Sequence, residues 1–78
     1  MALRLEDIDY FLAVVQHRQV RRAALELGVS QPAVSKGIQR LEQELGFPLF
    51  TRSRRGMEMT AVAEGFHQRV RALRRGLG

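Results

Sequence analysis

The run Val29-Ser30-Gln31-Pro32-Ala33-Val34-Ser35-Lys36-Gly37-Ile38-Gln39-Arg40-Leu41-Glu42-Gln43-Glu44-Leu45 brings together a helix start, an apolar stripe and a row of long polar side chains. Ser30 can act as N-cap, and Pro32 falls in the first turn, where a missing backbone N–H costs nothing within the helix. With no donor on Pro32, the Ser30 hydroxyl is left to accept from the N–H of Ala33. Val34, Ile38, Leu41 and Leu45 recur at spacings of four, three and four, which puts them on one helical face. Gln31, Ser35, Lys36, Gln39, Arg40 and Gln43 take the other. Any amphipathic surface helix shows this division, so the flanking segments must decide its role.

Upstream, Leu5, Ile8, Phe11, Leu12 and Val15 follow a helical pattern to about Gln16, with Glu6, Asp7 and Asp9 in the first turn, where the helix dipole favours negative charge. His17-Arg18-Gln19 breaks that pattern. Val20, Ala23, Ala24 and Leu27 restart it over two turns, and Gly28 ends it as a residue free to adopt positive φ. About three residues then separate this short helix from the Ser30 cap, and the small Ala23 and Ala24 allow close approach. A short helix, a tight glycine-containing turn and a longer capped helix make a helix-turn-helix.

Downstream, Gly46 stops the third helix and Pro48 prevents its resumption. Leu49-Phe50-Thr51-Arg52 and Met57-Glu58-Met59-Thr60 have strand character, and Ser53-Arg54-Arg55-Gly56 between them is a turn. Such a hairpin behind a helix-turn-helix is a wing. Because an isolated hairpin is marginal in water, it should be anchored to the helices through Leu49, Phe50 and Met59. Thr60 can cap a last helix along which Val62, Phe66, Val70, Leu73 and Leu77 repeat at four, four, three and four, close to a coiled-coil seam. That stripe either packs back on the body or pairs with a second copy. Pairing is favoured because Val70, Leu73 and Leu77 lie well past the body at a rise of about 1.5 Å per residue.

The fold class expected is therefore mainly α with a small β-hairpin: a winged helix-turn-helix over residues 1–60, followed by a long linker (dimerisation) helix over 61–78. The third helix runs from about 31 to 45 and the wing from about 49 to 60.

At 78 residues and with no cysteine, the chain is one small domain without disulfides, thiol catalysis or thiolate metal sites. Its N-terminus turns acidic at Glu6-Asp7, too soon for a signal peptide, and no apolar run is long enough to span a bilayer, so a cytoplasmic protein is expected. The net charge of +5 resides entirely in the last thirty residues, where seven arginines face only Glu58 and Glu64. That balance suggests a polyanionic partner, nucleic acid before membrane. His17, expected exposed near a helix end, and His67, beside Phe66, have no acidic cluster near them, and no glycine-rich phosphate loop occurs. Neither enzymatic activity nor a metal or cofactor is expected.

Ala23-Ala24, Leu27, Ser30-Gln31-Pro32-Ala33-Val34-Ser35, Ile38, Leu41-Glu42, Leu45-Gly46, Leu49-Phe50, Arg52, Arg55 and Thr60 occur at offsets that make the chain resemble the N-terminal DNA-binding domain of LysR-type transcriptional regulators. The resemblance covers nearly the whole chain. It implies a bacterial, nucleoid-associated protein whose winged helix-turn-helix is joined by the linker helix to a periplasmic-binding-protein-like effector domain. Such proteins act as dimers or tetramers on interrupted inverted repeats. A small-molecule inducer would be sensed only through that effector domain, so the chain is expected to be a fragment or a truncation of a longer regulator. Two departures stand out. Arg18-Gln19-Val20-Arg21-Arg22 replaces a Gly-Ser-Phe-like run with a nearby small hydroxyl residue, leaving Arg21 or Arg22 to meet phosphate in its place. Met59-Thr60-Ala61-Val62-Ala63-Glu64-Gly65 displaces a glycine that the family places earlier.

For duplex DNA as partner, base edges specify and phosphates position. Gln31, Ser35, Lys36 and Gln39 project from one side of the third helix over two turns, the length a helix lays into a major groove. Gln31, Lys36 and Gln39 are candidates for base readout, with a solvated side chain as the alternative for Gln39, and Pro32 can meet a thymine methyl. Arg54 and Arg55 suit a narrow minor groove. Arg21, Arg22, Ser30 and Arg40 are candidates for the DNA backbone, and Arg52 either joins them, holds the wing or turns inward to an acidic group. Arg69, Arg71, Arg74 and Arg75 read as a solvated face beside a homodimer seam of Val62, Phe66, Val70, Leu73 and Leu77. Two other classes stay open: a helical oligomerisation module with an incidental basic surface, and a non-specific RNA binder, which would lack the interleaved aromatics expected for base stacking.

Overall fold

Cap chemistry sets the starts of the third and fourth helices and the glycine ends of the second and third. In the computed structural model, which describes residues 3–77 and the side chains of residues 3–73, six elements follow in the order α1 (Leu5–His17), α2 (Val20–Leu27), α3 (Gln31–Leu45), β1 (Phe50–Ser53), β2 (Gly56–Met59) and α4 (Ala61–Leu77). Ser30 caps α3 as its position requires, its hydroxyl accepting from the Ala33 N–H at 3.2 Å. Gly28, at φ +71°, ends α2, and the Val29 N–H returns to the Ala24 carbonyl at 3.0 Å. The turn between α2 and α3 is thus Gly28-Val29-Ser30, with Ala23 and Ala24 buried behind it.

The core lies where α1, α3, the Leu49 segment and α4 meet, and Phe11, Leu41, Leu49, Val14 and Val34 are its largest fully buried side chains. Leu49 is tied on both sides of its peptide. Its N–H donates to the Glu42 carboxylate at 2.7 Å, and its carbonyl accepts from the Thr60 N–H at 3.0 Å. The Thr60 hydroxyl donates to the Pro48 carbonyl at 2.8 Å and accepts from the Ala63 N–H at 3.2 Å, so one side chain closes the hairpin base and caps α4.

The hairpin is shifted by one residue from its expected limits. Phe50 pairs with Met59, Thr51 with Glu58, Arg52 with Met57 and Ser53 with Gly56, leaving Arg54-Arg55 as the loop. Ser53 stays in the ladder because its hydroxyl accepts from the Arg55 N–H at 3.1 Å and donates to the Gly56 carbonyl at 3.3 Å. The wing is also pinned to the α1–α2 turn, where the Met57 N–H donates to the Arg18 carbonyl at 2.8 Å. A Cβ on Gly56 would stand 2.3 Å from that oxygen, so the close approach requires glycine.

The stripe of α4 divides where a single seam was expected. Ala63 and Val70 are buried, and the Phe66 ring lies 5.3 Å from that of Phe11, so this edge packs on the chain's own body. Val70 is therefore withdrawn from the free surface, and the half-buried Phe66 covers one side of the Phe11 ring. Val62 and Leu73, 51% and 67% exposed, form the other edge. Leu77, Arg74 and Arg75 lie outside the residues whose side chains are described.

Two contacts between α1 and α3 were not foreseen. Gly37 is buried against Tyr10 and Asp7, and Asp7, only 2% exposed, receives Arg40 in a two-pronged pair, Nε to Oδ2 at 3.0 Å and a terminal nitrogen to Oδ1 at 2.8 Å. The two histidines are also engaged. His17, read as exposed, is half-buried and pairs with Glu26. His67 stands edge-on to Phe11 at 5.9 Å. Burial, and then the nearby Arg71, hold its pKa below the ordinary histidine value.

Gly37→Ala should destabilise the fold, because the new Cβ would lie 2.3 Å from a Tyr10 ring carbon and 2.8 Å from Asp7 Oδ1. Overpacking costs about 1–3 kcal/mol and outweighs the gain of about 1 kcal/mol in helix propensity. Gly65→Ala, whose Cβ meets nothing within 4 Å, should show that gain alone. Urea unfolding of both variants checks the opposite signs.

Because the His67 pKa is lowered in the folded state, the unfolded chain takes up this proton first as pH falls. Its contribution is therefore fully present above the unfolded value of about 6.5 and is lost below it. Between about pH 7.5 and about pH 5.5 the melting temperature of the wild type should fall further than that of His67→Gln. Parallel falls in the two proteins would refute the assignment.

Candidate DNA-binding surface

The buried residues of α3 are Val34, Gly37, Ile38 and Leu41, which turn one face of the helix to α1 and α2. The opposite face is left to solvent. Gln31, Pro32, Ser35, Lys36 and Gln39 are all exposed, at positions i, i+1, i+4, i+5 and i+8, so the expected reading row is presented as a unit. Ser30 sits at its start, and with its oxygen accepting from Ala33 it keeps an O–H to donate.

The wing stands beside the start of this helix. Between them opens a cleft of about 430 Å³ lined by Arg18, Gln19, Val20 and Arg21 from the α1–α2 turn and α2, by Gln31 of α3, and by residues 52–57 of the wing. Five of its lining residues are arginines, Arg18, Arg21, Arg52, Arg54 and Arg55, and none is acidic. Arginines gathered around one concavity with no acid among them give it a positive potential suited to phosphate. Arg22 is exposed on α2 but does not line the cleft. Arg52 is exposed and lines the cleft, and among the described residues it forms no ion pair with an acidic group.

Arg40 is the exception among the expected backbone contacts. Its guanidinium is drawn onto the Asp7 carboxylate, which also raises its pKa above the ordinary arginine value through that hydrogen bond. A buried carboxylate costs several kcal/mol unless it is paired, roughly, so Arg40 is committed to the body. Arg18 and Gln19 are the lining residues that sequence reasoning passed over. They lie between helices, where periodicity carries no signal.

On the far side, Leu45, Phe47, Val62, Gly65, Phe66 and Arg69 line a shallow groove of about 300 Å³ next to the exposed Leu73 edge. Its lining is mainly apolar.

Comparison with known proteins places this architecture. Residues 5–64 match the family described as bacterial regulatory helix-turn-helix protein, lysR family. The transcriptional regulator BudR of Klebsiella aerogenes is 47% identical over 66 residues, covering 85% of this chain and 46% of that protein. ClcR of Pseudomonas putida is 39% identical over 71 residues, covering 91% of this chain and 24% of ClcR. The chain thus spans less than half the length of these curated relatives. Among solved structures, the DNA-binding domain of CbnR in complex with DNA superposes with a TM-score of 0.88 at 36% identity, covering 96% of this chain and 86% of that one.

Proposed function

The chain belongs to the LysR family of bacterial helix-turn-helix regulators, and we propose that it binds duplex DNA sequence-specifically, with α3 in the major groove and the wing arginines at the minor groove. The observation that carries this reading is the exposed row of Gln31, Ser35, Lys36 and Gln39 beside a cleft of five arginines. Gln31 and Gln39 suit adenine, whose N6 donates and N7 accepts, and Lys36 suits guanine O6 and N7. Pro32 faces a thymine methyl. Arg54 and Arg55 enter the minor groove, while Arg21, Arg22, Arg52 and Ser30 hold phosphates. Binding, not turnover, is the activity proposed.

Two copies act together in this reading. The exposed Val62–Leu73 edge of α4 and the groove beside it bury their apolar surface against a second copy, which sets the spacing of two reading helices on an inverted repeat. The setting is the bacterial cytoplasm, at the nucleoid. An inducer acts through an effector domain outside this chain, and tetramers form at that level.

Duplexes recovered from a random pool and scrambled duplexes of equal length, titrated at several salt concentrations, test the binding. Lys36→Ala should reduce the preference for recovered sites by about 1–3 kcal/mol. Arg54→Ala should weaken both duplexes alike and flatten the log–log salt slope by about 0.9. Equal wild-type affinity for recovered and scrambled duplexes would sink the specificity claim.

For the dimer, sedimentation of the wild type should give twice the chain mass and Leu73→Glu a single chain. A dimer that survives Leu73→Glu with Val62→Glu would place the interface elsewhere.

A further inference from the structure

Among the described residues Arg18 is the one non-glycine with positive φ, at +61°. Such a conformation is rare for residues with a side chain and normally falls to glycine at a helix C-terminus. The backbone needs the bend. The Arg18 N–H closes α1 onto the Val14 carbonyl at 2.8 Å, and its carbonyl receives the wing through Met57 at 2.8 Å. Neither bond uses the side chain, and glycine would make both without strain. The guanidinium must therefore be accounted for by what it faces.

Arg18 lines two hollows. One, of about 310 Å³, contains Glu58 and Glu64, yet among the described residues Arg18 forms no ion pair with either. The other is the arginine cleft, where it joins Arg21 of α2 and Arg52 of the wing with no acid in the lining. Like charges gathered there repel one another until an anion enters, and a planar guanidinium grips a phosphate with two parallel bonds.

We propose that Arg18 is a DNA-contacting residue, which with Arg21 and Arg52 receives a backbone phosphate of the bound duplex in the cleft between wing and helix-turn-helix. The proposal rests on the DNA-binding reading above and adds to it a contact from the α1–α2 turn. It also gives the strain a purpose: the fold tolerates a disfavoured backbone at Arg18 because the charge is needed at that point.

Arg18→Gly in the whole chain separates strain from contact. The melting temperature should rise as the strain is released, duplex affinity should fall severalfold for recovered and scrambled duplexes alike, and the salt slope should flatten by about 0.9. Arg18→Lys, which keeps the charge, should retain the slope. A higher melting temperature with unchanged affinity and slope would overturn the proposal, leaving Arg18 a tolerated strain. A lower melting temperature would overturn it too, assigning the guanidinium to Glu58 or Glu64. Failure of the wild type to show salt-dependent duplex binding would instead remove the DNA-binding reading itself.

Discussion

Phe11 is the contact through which the wing and the last helix are held to the helix-turn-helix. It is fully buried, and its ring meets Phe50 of β1 at 5.5 Å, Phe66 of α4 at 5.3 Å and His67 of α4 at 5.9 Å. Each such pair adds about 0.5–1.5 kcal/mol beyond burial. A two-stranded hairpin would not persist alone, so the position of the wing depends on this cluster, on the Leu49–Thr60 clasp at its base and on the Met57–Arg18 bond near its tip. Three attachments on a four-residue ladder leave little freedom. A surface assembled from two separate elements needs that rigidity to keep them in fixed relation.

The rotation of α3 is set by a second device. Gly37 lets α1 approach so closely that no side chain fits, and three residues on Arg40 closes over Asp7. Turning α3 by one residue, about 100°, would break the close approach and leave a buried carboxylate unpaired. The two contacts thus do more for register than for net stability, since a buried pair roughly balances its own desolvation. By fixing which face is inward, they decide that Gln31, Ser35, Lys36 and Gln39 point outward together.

What could be foreseen in the chain and what could not follows from the range of the forces involved. The Ser30 cap with its bond to Ala33, the glycine ends at Gly28 and Gly46 and the Thr60 cap are local, and each is visible in a window of a few residues. The exposed row on α3 followed from periodicity alone. Asp7 and Arg40 lie 33 positions apart, and each had a plausible local role, Asp7 at the helix dipole and Arg40 at phosphate. Only packing of α1 on α3 made them partners. The stripe of α4 was legible as apolar, but which edge would face inward depends on where Phe11 sits, and periodicity does not contain that. Arg18 was opaque for a third reason: a positive φ on arginine contradicts the local preference that sequence reasoning relies on.

The length of α3 shows how one helix serves both the body and a ligand. Its first two turns carry Lys36 and no acidic residue, so the positive end of the helix dipole stays uncompensated on the side where phosphates would lie. Its last two turns carry Arg40, Glu42 and Glu44. Of these, Arg40 is held by Asp7, and Glu42 accepts the N–H of Leu49, fixing where the chain leaves for the wing. Charge that would repel DNA is thus placed at the end that builds structure, and Asp7 and Arg40 cancel each other within the body. The excess of +5 is then left to the remaining residues, and the cleft gathers five of the thirteen basic side chains where wing, turn and α3 converge. The exposed row at the start of α3 is held in place because its far end is spent on packing.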